Sequence, residues 1–237
     1  MEAAQMTTET LHNGLKLLQT EEFHKLGQDS VLLADFAKPR RFSRVLDLGC
    51  GTGALALSLY RPDLKISALD IQEGAVELLR QSAALNGIEI DAQAGDLRAI
   101  RTVYRHGSFD YAVCNPPYFS TGCGKTSPEG ARAAARSDGE ATIEEVAAAL
   151  SFVLHDGAKC ALVFRPERLW ALLNALQRLR LTPKRLRFVH QDAGKRPSAV
   201  LVECRKGSAE GLVVEPPFLC CREDGSYTEE YQRIYNL

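Results

Sequence analysis

The chain predicts a doubly wound α/β fold on a mostly parallel sheet, and three observations predict it. Short apolar runs alternate with amphipathic segments of helical period between residues 45 and 179. The first of those runs ends in a glycine-rich turn, Gly49-Cys-Gly51-Thr-Gly53. In the last third, Lys184–His190 and Ala199–Cys204 are two strand-like runs joined by a short polar loop, the spacing of a hairpin and not of a crossover. Together these make seven strands with a C-terminal antiparallel hairpin.

The elements follow in order. Asn13-Gly14 between apolar residues signals an N-terminal hairpin ending near Gln19. After Gly27, Asp29 or Ser30 is placed to cap a helix through Val31–Ala37 that Pro39 ends. Residues 1–40 are thus expected to pack a hairpin and a helix on a domain of residues 41–237, as one structural unit. Val45–Leu48, Ile66–Leu69 and a shorter run at Ile90–Ala94 read as strands, with helices at Ala54–Leu59 and Glu73–Leu85, the second closed by Asn86-Gly87. Phe109–Cys114 is the fourth strand, Ile143–Leu154 a helix with Gly157 after it, Ala158–Phe164 the fifth strand, and Glu167–Leu179 another helix. The stretch Phe119–Thr142, rich in Gly, Ser, Thr and Ala, is too long for a simple connection and is expected to be a mobile substrate loop.

Bulk properties exclude several classes. A chain of 237 residues buries a sizeable single core. Its net charge of −1 means that any affinity for a polyanion must come from a local patch. Seven cysteines with no Cys-x-x-Cys pair suit neither a disulfide framework nor zinc, and predict a reduced, cytoplasmic setting without a metal. Cys50 and Cys114 are expected to be small buried hydrophobes, and His106 and His190 ordinary polar residues. There is no basic and apolar leader at the N-terminus and no run long enough to span a bilayer.

Two motifs carry the chemistry. Val45-Leu-Asp47-Leu-Gly49-Cys-Gly51-Thr-Gly53 ends the first strand, where open α/β sheets bind ligands. Gly49, Gly51 and Gly53 let a ligand approach the backbone; Asp47 would anchor the loop and an ammonium, and Asp70, ending the second strand and followed by Ile71, would take two ribose hydroxyls. At Gly95-Asp96-Leu97 a carboxylate and a backbone amide would bracket an adenine ring, with a plain helix cap as the alternative for Asp96. The second motif is Asn115-Pro116-Pro117-Tyr118. The lone pair of an exocyclic amine or amide is delocalised, so two acceptors aimed at its hydrogens, the Asn115 side-chain oxygen and the Pro116 carbonyl, would turn that lone pair toward a methyl donor. Pro117 stiffens the turn, and Tyr118, followed by Phe119, offers a face for a planar, unstacked group. These residues together imply transfer of a methyl group from S-adenosylmethionine to nitrogen, on the Rossmann-like sheet of class I methyltransferases.

A nicotinamide-dinucleotide enzyme is the rival, because Gly49-x-Gly51-x-x-Ala54 with Asp70 downstream meets that pattern too. Asp47 counts against it, since a carboxylate beside the glycines suits a cationic sulfonium and repels a pyrophosphate. A basic run from Arg178 and Arg180 through Lys184, Arg185, Arg187, Lys195 and Arg196 to Arg205 and Lys206 reads either as a phosphate-binding face for RNA, with the middle five as its contacts, or as a solvated edge of the hairpin.

The assembled residues resemble the bacterial tRNA-Val adenine-N6-methyltransferase family. The resemblance runs from Gly14-Leu-Lys-Leu-Leu-Gln19 through Leu26-Gly27-Gln-Asp29 and both motifs to Pro183-Lys-Arg-Leu-Arg-Phe-Val and Glu215-Pro-Pro217…Tyr227-Thr-Glu-Glu-Tyr231. It implies methylation of an adenine N6 in a tRNA anticodon loop, with Gln19 and Asp29 walling the cofactor pocket near its methionine end and Arg136 in the substrate loop. One departure is visible: related sequences often follow that arginine with His-Glu, and Ser137-Asp138 stands here. Glutamine N5 methylation of release factors and guanine N2 methylation of ribosomal RNA use similar machinery, and an idle RNA-binding module is disfavoured by the intact motifs.

Overall fold

The computed structural model describes residues 6–23, 26–116 and 141–237. Strands β1 (Thr7–Thr10) and β2 (Lys16–Gln19) form the expected hairpin, with Gly14 at φ +83° in its turn. Helix α1 (Gln28–Phe36) starts earlier than expected. Gly27 is its N-cap, and no side chain caps it, so neither Asp29 nor Ser30 takes that role. Ser30 is turned instead toward Asn115.

The core strands are β3 (Arg44–Leu48), β4 (Lys65–Asp70), β5 (Asp91–Ala94), β6 (Phe109–Cys114), β7 (Leu154–Phe164), β8 (Leu181–His190) and β9 (Pro197–Lys206). Their order across the sheet is β8-β9-β7-β6-β3-β4-β5. All neighbours are parallel except that β9 runs antiparallel between β7 and β8. Two short strands that the sequence did not signal, β10 (Val213–Val214) and β11 (Phe218–Leu219), both pair with β8. The doubly wound, mostly parallel sheet with its antiparallel terminal hairpin is therefore the fold, its seven expected strands extended to nine by β10 and β11.

The period of two along each strand sorts the side chains between faces. On β3, Leu46 and Leu48 join one cluster with Ala112, Cys114, Cys160 and Leu162, covered by α5 (Ile143–Val153) and α6 (Leu169–Arg178). On the other face Val45, Tyr111 and Ala161 pack under α1 and α2 (Ala54–Leu59), and Leu57 of α2 joins Leu79 of α3 (Glu73–Leu85) in a cluster that also holds Leu17 of the hairpin. A short α4 (Ile100–Val103) precedes β6, and α7 (Glu229–Tyr235), which the sequence reading did not anticipate, seals the α1 face with Ile234.

The start of β7 is the second correction. The strand was expected over Ala158–Phe164, yet it begins at Leu154 directly after α5, and Gly157 lies inside it at φ +84°. The register against β6 shifts between Phe109 and Tyr111, so the glycine serves a bulge. Across the same strands lies a buried ionic group. Glu203, with 0% side-chain exposure, accepts from Tyr111 at 2.7 Å and Lys159 at 2.9 Å and meets Arg185 at 3.5 Å.

Gly53 sits at φ +90° and a Cβ there would lie 2.2 Å from Leu79 Cδ1, so this glycine is dictated by the approach of α3. Gly53→Ala should destabilise the protein by about 2–4 kcal/mol, from overpacking plus a left-handed backbone. Urea denaturation measures it, and a cycle with Leu79→Ala should show a coupling of about 1 kcal/mol. An unchanged midpoint would mean that α3 gives way freely.

Candidate active site

The glycine turn of the first motif and Asn115-Pro116 of the second lie at the edge of the sheet where β3, β4 and β6 end. The turn after β3 is tied down by two amides, Gly49 and Cys50, that both donate to the Leu69 carbonyl at 2.8 and 3.1 Å. Gly49 (φ +77°) and Gly51 (φ +51°) adopt backbone that a side chain resists, and a Cβ on either would point into open space. The turn is thus strained for conformation and open for a ligand, whereas Gly53 faces protein.

Asp47 lies beneath this turn with 1% exposure. Neither carboxylate oxygen has a hydrogen-bond partner of normal geometry among the described residues. Burial pushes its pKa up to about 8, a weaker pull from the Ala56 amide opposes this, and Asp70 adds a further push upward. An orphaned carboxylate under a glycine turn fits an ammonium group. On the hairpin, Gln19 is buried and its Nε2 is also without a hydrogen-bond partner among the described residues, so it too is a polar group that a ligand could satisfy.

Asp70 uses one oxygen to accept the Gly51 amide (2.8 Å) and the other to accept the Gln72 amide (2.9 Å), so it shapes the turn while keeping lone pairs for ligand hydroxyls. Ile71 beside it is 57% exposed and offers an apolar face. Asp96 serves a local turn. Its carboxylate caps the turn Leu97–Ala99 by accepting the Arg98 amide at 2.8 Å and grips the Arg98 guanidinium at 2.6–2.9 Å, which lowers its pKa through that partner; the helix-cap alternative is the one observed. Leu97 packs its side chain against the core.

Asn115 follows β6, and its Nδ2 donates to Ser30 Oγ at 3.1 Å, which presents Oδ1 as the acceptor. Pro116 behind it is buried. Asp29, on the same helix turn as Ser30, has its pKa raised by burial against the pull of Arg165. Ser30 was missed as a site residue; its only signal was a serine at a helix start, and capping explained that adequately. Pro117, Tyr118, Phe119 and Arg136 lie outside the described residues, as does most of the expected substrate loop. Cys50 and Cys114 have thiols pushed well up by burial, in keeping with packing and not reactivity.

The basic segment does not act as one face. Arg185 is bound to Glu215 at 2.7 Å and to the Glu203 group, and Arg187 makes a bidentate pair with Glu230 at 2.7 and 2.8 Å, so both stabilise the fold and offer little free charge. Lys184 donates to the Ala209 and Glu210 carbonyls toward the far end of β8. Lys195 pairs with Asp192, and Arg196 is exposed, both in the β8–β9 turn. Phe164 at the end of β7 pairs with Val200, which puts that turn at the same edge as Asn115. Only Lys195 and Arg196 of the five stand where an RNA at the site would meet them.

Among the described residues no group of three metal-ligating side chains exists and no helix is long and apolar enough to cross a membrane. The chain matches the methyltransferase small domain family over residues 24–140. It is 33% identical over 223 residues to the tRNA1(Val) (adenine(37)-N6)-methyltransferase of Tolumonas auensis, covering 87% of this chain and 86% of the relative. Its fold is similar to a predicted O-methyltransferase from Agrobacterium tumefaciens, with a TM-score of 0.72 at 19% identity over 88% of this chain and 96% of that one. It is also similar to a T. thermophilus 16S rRNA N2 methyltransferase in complex with AdoMet and guanosine, with a TM-score of 0.62 at 18% identity over 86% of this chain and 51% of that one. A glycine turn over an orphaned carboxylate, an Asn-Pro after the fourth strand and this likeness over most of both chains have one reading: the protein is an S-adenosylmethionine-dependent methyltransferase and belongs to the tRNA1(Val) (adenine(37)-N6)-methyltransferase family.

Proposed function

We propose that the protein methylates the exocyclic N6 of an adenine in a tRNA anticodon loop. The observation that carries this is the Ser30–Asn115 hydrogen bond: it fixes the amide so that Oδ1 accepts from a substrate N–H at the end of β6. The Pro116 carbonyl is the second acceptor, so both hydrogens of a primary amine are held while its lone pair turns away from the ring. A bound S-adenosylmethionine supplies the methyl group. Asp47 holds its ammonium, Gln19 its carboxylate and Asp70 its ribose, with Ile71 against the adenine. Tyr118 and Phe119 supply the stacking faces, and Lys195 and Arg196 meet phosphates at that edge. The relatives' substrate supports an adenine in tRNA over other amines, and an anticodon loop suits the chemistry because its bases are already partly unstacked. Such a substrate places the enzyme in the cytoplasm.

Asn115→Ala should leave cofactor affinity unchanged and cut turnover about a hundredfold. Ser30→Ala removes only the bond that aims the amide, about 1 kcal/mol, and should cut turnover about fivefold. The wild type and both variants are assayed with tRNA, ribosomal RNA and release factor, and the digested products identified by mass. N6-methyladenosine from tRNA is the expected product; methylguanosine or methylglutamine instead would move the function elsewhere.

Asp47 predicts a pH dependence. Its folded-state pKa of about 8 lies above the ordinary 3.8, so the unfolded chain loses this proton first and the cofactor-free fold loses stability as pH rises from about 4 to about 8. Pairing with an ammonium requires ionised Asp47 and a protonated ligand amine, so binding should release about one proton well below pH 8 and take one up well above it, where the free α-amino group has lost its own. S-adenosylmethionine affinity should therefore rise about tenfold per pH unit below about 8 and fall again above it. Calorimetry in buffers of different ionisation enthalpy reads the proton directly, and Asp47→Asn should abolish it.

A further inference from the structure

The edge of the sheet away from Asn115 carries a different kind of site. Between the 38–43 connection and the starts of β6 and β7 lies an open hollow of about 400 Å³. Five of its twelve lining residues, Lys38, Arg40, Arg41, Lys159 and Arg205, are cationic and only Asp110 is acidic. Asp110 is already taken by Arg44, whose amide donates at 2.7 Å and whose guanidinium pairs at 3.2 Å. Arg41 meets Asp63 and Lys159 meets the buried Glu203. Arg40 and Arg205 are exposed, and among the described residues no carboxylate comes within ion-pair distance of either. Among the described residues the Arg205 side chain donates to the Gly157 carbonyl alone, at 3.0 Å. Lys38 lies 3.8 Å from Asp35, so in a chain of net charge −1 three of the five cations are paired and Arg40 and Arg205 are the charges at this hollow that the fold does not consume.

Phe42 stands at the rim. It is 76% exposed and holds φ +63°, a conformation costly for an aromatic residue, while its amide donates to the Asp63 carbonyl at 2.7 Å. An exposed ring in a strained backbone gains nothing for the fold. Beside open cations it makes the combination that binds single-stranded nucleic acid, phosphate charge with a stacking face. Arg41 lies 5.4 Å from the ring centre and supports it. From Asp110 to Asn115 the strand climbs about 16 Å at about 3.3 Å per residue, so one nucleotide cannot reach both places.

We propose that this hollow binds the sugar–phosphate backbone of the RNA substrate at a segment remote from the reacting adenine, with Phe42 stacking on an unpaired base there. The inference rests on the RNA reading of the active site. It makes substrate recognition bipartite, one contact at each edge of the sheet.

The test compares full-length tRNA with an isolated anticodon stem-loop, using Arg40→Glu/Arg205→Glu and, separately, Phe42→Gly. For the double variant KM for full-length tRNA should rise about tenfold or more, with kcat and cofactor affinity unchanged and the stem-loop unaffected. The slope of log affinity against log salt should fall by about two, one for each lost phosphate contact. Phe42→Gly should weaken full-length tRNA about threefold or more while the thermal midpoint stays level or rises, because glycine relieves the backbone. A structural role alone would lower both. Equal effects on the two RNAs, or none on either, would overturn the proposal while leaving the methylation reading intact. So would loss of inorganic phosphate binding with tRNA KM unchanged, which would make the hollow a small-anion site. A wild type that methylates neither RNA would overturn both readings together.

Discussion

A carboxylate buried without a hydrogen bond beneath the turn after β3 is the constraint on which the site depends. Desolvating Asp47 costs the cofactor-free protein stability, visible in a pKa raised to about 8. The fold tolerates that cost because the surrounding turn is held independently, by the Leu69 carbonyl and by the Asp70 carboxylate on the Gly51 amide. The turn therefore keeps its shape whether or not Asp47 is ionised. A cationic ligand would then meet a preformed acceptor whose desolvation has already occurred, and a phosphate would be repelled.

Glu203 shows the opposite solution to the same problem. It is as buried as Asp47, yet Tyr111, Lys159 and Arg185 surround it, and it links β6, β7, β8 and β9 across the sheet. A satisfied buried carboxylate fixes the register of an antiparallel strand inserted in a parallel sheet; an unsatisfied one waits for a ligand. The two differ in partners and not in burial. Partners, more than depth, separate the structural acid from the functional one.

Much of this was legible in the sequence because the signals were local. The alternation of apolar runs placed the core strands and most helices, and the spacing of Lys184–His190 and Ala199–Cys204 placed the hairpin. What failed was set by contacts across the chain. β7 starts four residues before the apolar run that signalled it, through a bulge against β6 at Gly157, and Ser30 resembles a cap but reaches a residue 85 positions away. Asp96 and the glycines illustrate the same limit: sequence pattern groups Gly49, Gly51 and Gly53 together, whereas only the packing of Leu79 separates the third from the other two. Helix α7 carried a capping threonine, Thr228, that accepts the Tyr231 amide, but its seven residues are too few to declare a period.

The basic residues make the point about position most sharply. Counting cations from Lys184 to Arg196 suggested one phosphate-binding face, yet β8 carries them from one edge of the sheet to the other. Along that path Arg185 and Arg187 are consumed by Glu203, Glu215 and Glu230, and only the turn at the end emerges beside Asn115. Meanwhile Lys38, Arg40, Lys159 and Arg205, scattered over 168 positions of sequence, converge on one hollow because α1, β7 and β9 bring them to the same edge. Charge clustered in sequence was dispersed by the strand, and charge dispersed in sequence was clustered by the sheet. For a polyanionic substrate it is the second arrangement that sets the field, since phosphates respond to charges within a Debye length of about 8–10 Å in space and not to their spacing along the chain.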